Sequence, residues 1–88
     1  MISYDLSKRG DLPRYQYLYT RIREDITNGR LRPDERMPSK RRFAEVLNVS
    51  VNTVMTAYDL LVAEGLLVFD AVDQHPLDLK LPVDGQGL

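Results

Sequence analysis

PSKRRFAEVLNVSVNTVMTAYDLLVAEG, residues 38–65, decides how the rest of this 88-residue chain is read. Ser39 precedes a short apolar-periodic run of Phe43, Ala44 and Leu47, and Asn48 interrupts it. Ser50 opens a second run, Val51, Val54, Ala57, Tyr58 and Leu61, which Gly65 closes. A serine just outside a helix accepts a hydrogen bond from the free N–H groups of the first turn, so Ser39 and Ser50 are both expected N-caps. Asn tolerates the left-handed backbone of a sharp turn and Gly tolerates it better, which suits Asn48 to the turn and Gly65 to the stop. A short helix, a tight turn and a longer helix are the sequence form of a helix-turn-helix. In that motif the second helix enters the DNA major groove with its first residues at the base edges. Here those residues are Val51, Asn52, Thr53, Met55 and Thr56.

Outward from this stretch, Leu66 to Phe69 is a short apolar run of strand type, and Leu77, Leu79 and Leu81 alternate with Asp78 and Lys80. That period of two suits a half-buried strand, with residues 70–76 as the loop between the two. Upstream, Pro13 is well placed in a first helical turn. Tyr15, Leu18, Tyr19, Ile22 and Ile26 recur at three- and four-residue steps and should share one face of a helix over about residues 13–28. Arg14, Arg21, Glu24 and Asp25 should fall on the other side, and Asn28-Gly29 should end the helix. In the connector, Leu31 and Met37 are the expected inward anchors, Pro33-Asp34 signals a turn, and Arg30-Leu31-Arg32 suggests a short edge strand. The fold class is therefore mainly α with a small β-hairpin: a winged helix-turn-helix of three helices plus a short wing. Residues 1–12 read as an extended N-terminal arm, 13–81 as the winged domain and 82–88 as a flexible end.

Composition narrows the chemistry. The chain has no cysteine and one histidine, His75, so disulfides, thiolate metal sites, a histidine cluster and thiol catalysis are excluded. No Gly-rich phosphate loop and no paired-carboxylate cleft is visible, and no enzyme is expected. No apolar run approaches transmembrane length, and the N-terminus lacks a signal-peptide core, so a soluble cytoplasmic protein without membrane partners is expected. The formal net charge of −1 hides an asymmetry. From Arg14 to Tyr58 nine basic residues face five acidic ones, whereas from Leu66 onward Lys80 stands against Asp70, Asp73, Asp78 and Asp84. The helical middle can face a polyanion and the tail cannot.

Lys40, Arg41 and Arg42 occupy the first turn of the second helix. Positive side chains there oppose the helix dipole, at a few tenths of a kcal/mol each. The same helix end attracts phosphate, because free N–H groups point outward. Three consecutive bases at that end make more sense beside an anion than in bulk water, Arg41 above all. In the third helix Asn52 can make a bidentate pair with adenine, and Thr or Met can touch a thymine methyl or a phosphate.

Residues 12–67, LPRYQYLYTRIREDITNGRLRPDERMPSKRRFAEVLNVSVNTVMTAYDLLVAEGLL, resemble the N-terminal DNA-binding domain of the GntR family of bacterial transcription regulators. The opening ISYDLSKRG and the NTVMTAYDLLVAEG run are most similar to its MocR-like branch, in which a winged helix is fused to an aminotransferase-like domain that binds pyridoxal phosphate. The lysine that would hold that cofactor is not in these residues, so no cofactor is expected here, and an effector domain would lie in a longer parent chain. The resemblance implies that Arg41 meets phosphates and nearby bases, that Ser50, Asn52 and Thr53 contact DNA, and that Arg36 adds a backbone contact. With Ser39, Lys40 and Thr56 these form the candidate DNA-facing set. Three departures stand out. Val51 and Met55 occupy positions where many members carry Arg, a strong guanine reader. Asp34 stands where the family usually has Gly. The stretch from Phe69 to Pro76, matching a basic Gly-rich wing, carries acids and no Arg or Lys.

The function expected from all this is sequence-specific binding of double-stranded operator DNA by a homodimer. The acidic wing motivates an alternative, a winged-helix module for protein interaction or dimerisation.

Overall fold

The computed structural model describes residues 2–69 and 79–83. The acidic stretch, Leu77 and residues 84–88 of the expected flexible end lie outside the described residues. Three helices come first: α1 over Arg14–Thr27, α2 over Lys40–Leu47 and α3 over Val51–Ala63. Two short strands follow, β1 over Val68–Phe69 and β2 over Leu79–Lys80, paired antiparallel with Val68 opposite Lys80 and Phe69 opposite Leu79. This is the winged helix-turn-helix arrangement. Among the described residues no helix is long and apolar enough to cross a membrane.

The punctuation expected from the sequence sets the turn. Ser39 Oγ accepts the Arg42 N–H at 3.2 Å and Ser50 Oγ accepts the Thr53 N–H at 3.1 Å, so both serines are N-caps. Asn48 ends α2 in the left-handed conformation, φ 58°, and its N–H returns to the α2 carbonyls. Only two residues, Val49 and Ser50, separate it from α3. Gly65 ends the following turn at φ 76°. Asp34 is the other non-glycine residue at positive φ among the described residues, 66°. That conformation explains why glycine fits this position; Asp is among the few side chains that accept it.

One core joins all the elements. Leu18 and Ile22 of α1, Phe43, Ala44 and Leu47 of α2, and Val54, Ala57, Tyr58 and Leu61 of α3 are buried, together with Leu67, Leu79 and Leu81 from the wing. Leu31 and Met37 anchor the connector, as expected. Phe43 lies between Tyr4 and Tyr58, with ring centroids 6.4 and 6.1 Å away. The Tyr58 hydroxyl donates to the Pro38 carbonyl at 2.8 Å, tying the entrance of α2 to the middle of α3.

Three local expectations are corrected. First, the segment read as an extended arm contains a 3-10 turn over Leu6–Lys8, capped by Asp5, and Leu6 is buried in the core, against which Ile2 and Tyr4 also pack. Second, the inward face of α1 is shifted: Tyr15 is exposed, while Asp25 is buried. The Tyr4 hydroxyl donates to Asp25 Oδ2 at 2.7 Å, which supplies the partner a buried carboxylate needs. Burial first, and this bond second, raise the Tyr4 hydroxyl above its ordinary pKa. Third, Arg30–Arg32 forms no strand. The Leu31 N–H instead closes back on the Asp25 carbonyl, and the pairing with the wing falls later, at Arg36 opposite Lys80. Met37 N–H to Leu79 O and Leu81 N–H to Glu35 O flank that bridge.

Candidate nucleic-acid interface

The site is built on two neighbouring helix entrances. A helix leaves its first N–H groups without intrahelical partners, and a serine cap satisfies one of them. At α2 the remaining amides open beside Lys40, Arg41 and Arg42. Arg41 and Arg42 are exposed and Lys40 is half-buried. Among the described residues none of the three has a carboxylate partner. Other cations do: Arg21 pairs with Glu24 at 2.8 Å, Arg23 with Glu64 at 3.4 Å, and Lys80 with Asp34 at 2.6 Å. Among the described residues the positive charge at the α2 entrance is therefore left without a carboxylate.

At α3 the cap does more than end a helix. The Ser50 and Thr53 hydroxyls share a hydrogen bond at 2.9 Å, beside the amide bond that Ser50 already accepts. Two hydroxyls carry two protons and this bond uses one, so the pair retains one donor for an external acceptor. Asn52 and Thr56, four residues apart, are exposed, and their side chains make no bond within the described residues. Helical spacing places them on one face. Val51 and Met55 form a second, apolar row beside them, 43% and 37% exposed. The buried residues of α3, Val54, Ala57, Tyr58 and Leu61, lie opposite.

The expected residues thus divide. Ser50, Asn52, Thr53 and Thr56 share the open first two turns of α3; Ser39, Lys40 and Arg41 share the α2 entrance. Arg36 is exposed but sits apart in the connector, lining a groove with Ile2, Leu31 and Met37. Tyr58 is core, as its place in the apolar stripe implied. One residue was not singled out from sequence: Arg14 borders an open cleft with Asn48, Val49, Ser50 and Thr53. Its position at the start of α1 gave no local signal, because the cleft brings together residues more than thirty apart. The clefts lined by Arg36, by Arg14, and by Ile26, Leu31 and Leu66 contain no lysine. Pyridoxal phosphate needs a lysine for its Schiff base, so these clefts do not fit it.

Comparison with known proteins agrees with the geometry. The family of bacterial regulatory proteins described as the gntR family matches residues 14–70. The "Probable rhizopine catabolism regulatory protein MocR" of Rhizobium meliloti is 47% identical over 62 residues, covering 70% of this chain and 13% of that protein. The HTH-type transcriptional repressor NagR of Bacillus subtilis is 38% identical over 63 residues, 72% of this chain and 26% of the repressor. The chain thus matches only a minor part of these relatives' length. Among solved structures, YtrA from Sulfolobus acidocaldarius, a GntR-family transcription factor, superposes with a TM-score of 0.77 at 29% identity, over 89% of this chain and 78% of that one. The DNA-binding domain of AraR in complex with operator ORE1 gives 0.66 at 26% identity, over 80% of each chain. With a family match spanning α1 to the wing and the same three-helix, two-strand fold, this chain belongs to the GntR family of bacterial regulatory proteins and carries its winged helix-turn-helix domain.

Proposed function

We propose that the chain binds double-stranded operator DNA sequence-specifically as the reading domain of a cytoplasmic transcription regulator. In this reading the first two turns of α3 enter the major groove while the α2 entrance rests on the phosphate backbone. Arg41 and Lys40 neutralise phosphate, with the capped amides of Ser39 beside them and Arg36 adding a backbone contact. Asn52 and Thr56 face base edges, and the Ser50–Thr53 pair directs its spare proton to a phosphate oxygen. The observation that carries the reading is the contrast at α2: three adjacent cations with no carboxylate partner among the described residues, beside a helix start at which Asn52 and Thr56 are exposed and their side chains unbonded among those residues. The AraR domain of the same fold, solved on an operator, supports it. A homodimer on a two-fold site fits the motif, because each helix-turn-helix reads one half-site about one helical turn from the other. An effector domain in a longer parent protein fits the small share of the relatives that the chain matches.

Selection from random DNA at two salt concentrations tests the proposal. Enrichment of a two-fold sequence is expected. If four phosphates are neutralised per protomer, log affinity should fall against log salt with a slope of about −3.6 per protomer. Binding indifferent to salt, or retention of a protein partner with no retention of DNA, would overturn it.

A further inference from the structure

The apolar row on α3 carries a statement about which base pairs are read. Val51 and Met55 are large apolar side chains left exposed at the start of α3, beside the exposed polar Asn52 and Thr56. They stand one turn apart, so their side chains adjoin, and Asn52 and Thr56 form a parallel row about 100° around the helix. We propose that this face reads an A·T-rich half-site, with Val51 and Met55 seated against thymine 5-methyl groups and Asn52 paired with an adjacent adenine. The inference rests on the DNA-binding reading above and specifies its ligand.

The chemistry selects this occupant. In the major groove the thymine methyl is the apolar feature that marks an A·T pair and its orientation, and apolar side chains contact it. Asn offers one donor and one acceptor, the pattern that matches adenine N7 and N6. No cationic side chain lies on the exposed face of α3 to fork onto guanine: from Val51 to Ala63 the helix contains no Arg or Lys. Charge complementarity brings DNA to this face, because the Lys40–Arg42 turn, without a carboxylate partner among the described residues, flanks it. Asp59, exposed on the same face one turn beyond Met55, bounds the reading segment. A carboxylate there is repelled by the phosphates, so contact with bases ends near Thr56.

The test replaces single thymines of the selected half-site with deoxyuridine, which removes only the methyl. Each contacted methyl is expected to be worth about fourfold in affinity for the wild-type chain. The same replacement should have little effect on a Val51→Ala, Met55→Ala double variant, whose exposed positions leave the fold intact by circular dichroism. A selected half-site with G·C pairs at its centre, or deoxyuridine sites bound as tightly as thymine sites while Arg41→Ala still weakens binding, would overturn this inference and leave DNA binding standing. Failure to enrich any DNA at low salt would overturn both. Loss of dimer in sedimentation with unchanged DNA affinity in the double variant would assign the row to a second copy of the chain instead.

Discussion

The two ends of α3 are built differently. The C-terminal end is tied to α1: Leu61 is fully buried, and at the surface Glu64 accepts from the Tyr19 hydroxyl at 2.5 Å and pairs with Arg23 at 3.4 Å. That bond to Glu64 is the main cause of the raised Tyr19 pKa. The N-terminal end is presented: beyond the Ser50 cap, Val51, Asn52, Met55 and Thr56 are exposed and the Asn52 and Thr56 side chains are unbonded among the described residues. The same helix thus holds its buried stripe against the core from Val54 to Leu61, is tied to α1 at its far end and offers exposed side chains at its start. A rigid hold on the far half keeps the offered side chains in register for a ligand, at no cost in their own freedom to contact it.

The most severe way to break this comparison is to attack the gripped half. Leu61→Ala is expected to cost about 2–5 kcal/mol, a large share of the 5–15 kcal/mol typical of a whole domain. Urea unfolding followed by circular dichroism checks it, and DNA affinity should fall only as the folded fraction falls. Tyr58→Phe is next. It leaves the part-buried Pro38 carbonyl without its donor, at about 0.5–1.5 kcal/mol. Tyr58 also gives a pH signature. Burial raises its pKa above the ordinary 10.0, so the folded state resists ionisation that the unfolded chain undergoes. Stability from this residue is complete below pH 10 and is lost as pH rises beyond it. Alkaline unfolding should therefore be steep in the wild type and shallower in Tyr58→Phe.

At the presented end the expected effects on stability shrink. Ser50→Ala removes a cap and should cost about 1 kcal/mol in thermal unfolding. Asn52→Ala should stay within about 0.5 kcal/mol of wild type. A larger loss at Asn52 would mean that this end is held by the fold after all, and the contrast between the two ends would disappear.

Much of this contrast was legible in the amino acids. Ser39, Ser50, Asn48 and Gly65 act within a few residues of themselves, so their side-chain chemistry alone announces caps, turn and stop. The apolar stripe of α3 was equally plain, because Val54, Ala57, Tyr58 and Leu61 follow the helical period without interruption. The readings that missed concern partners distant in sequence. Asp25 looked like a surface acid on periodicity, yet it is buried because Tyr4, twenty-one residues away, donates to it. Tyr15 fitted the stripe of α1 but lies in its first turn, where it stays exposed. The Arg30–Arg32 segment had the local look of a strand; its Leu31 amide was already committed to the end of α1. Of the candidate interface, the basic turn and the polar helix start were visible in sequence, whereas the meeting of Arg14 with the Asn48–Ser50 turn required the packed fold.

The central claim is that α2 steadies the DNA backbone while α3 reads. The direct measurement is affinity of Arg41→Ala and Asn52→Ala, each against a selected site and random DNA, across a salt series. Arg41→Ala should weaken both DNAs alike and flatten the salt slope by about 0.9; Asn52→Ala should leave the slope unchanged and weaken the selected site by about tenfold or more, in line with one lost base contact. Equal losses on both DNAs for Asn52→Ala, together with an unchanged slope for Arg41→Ala, would contradict it.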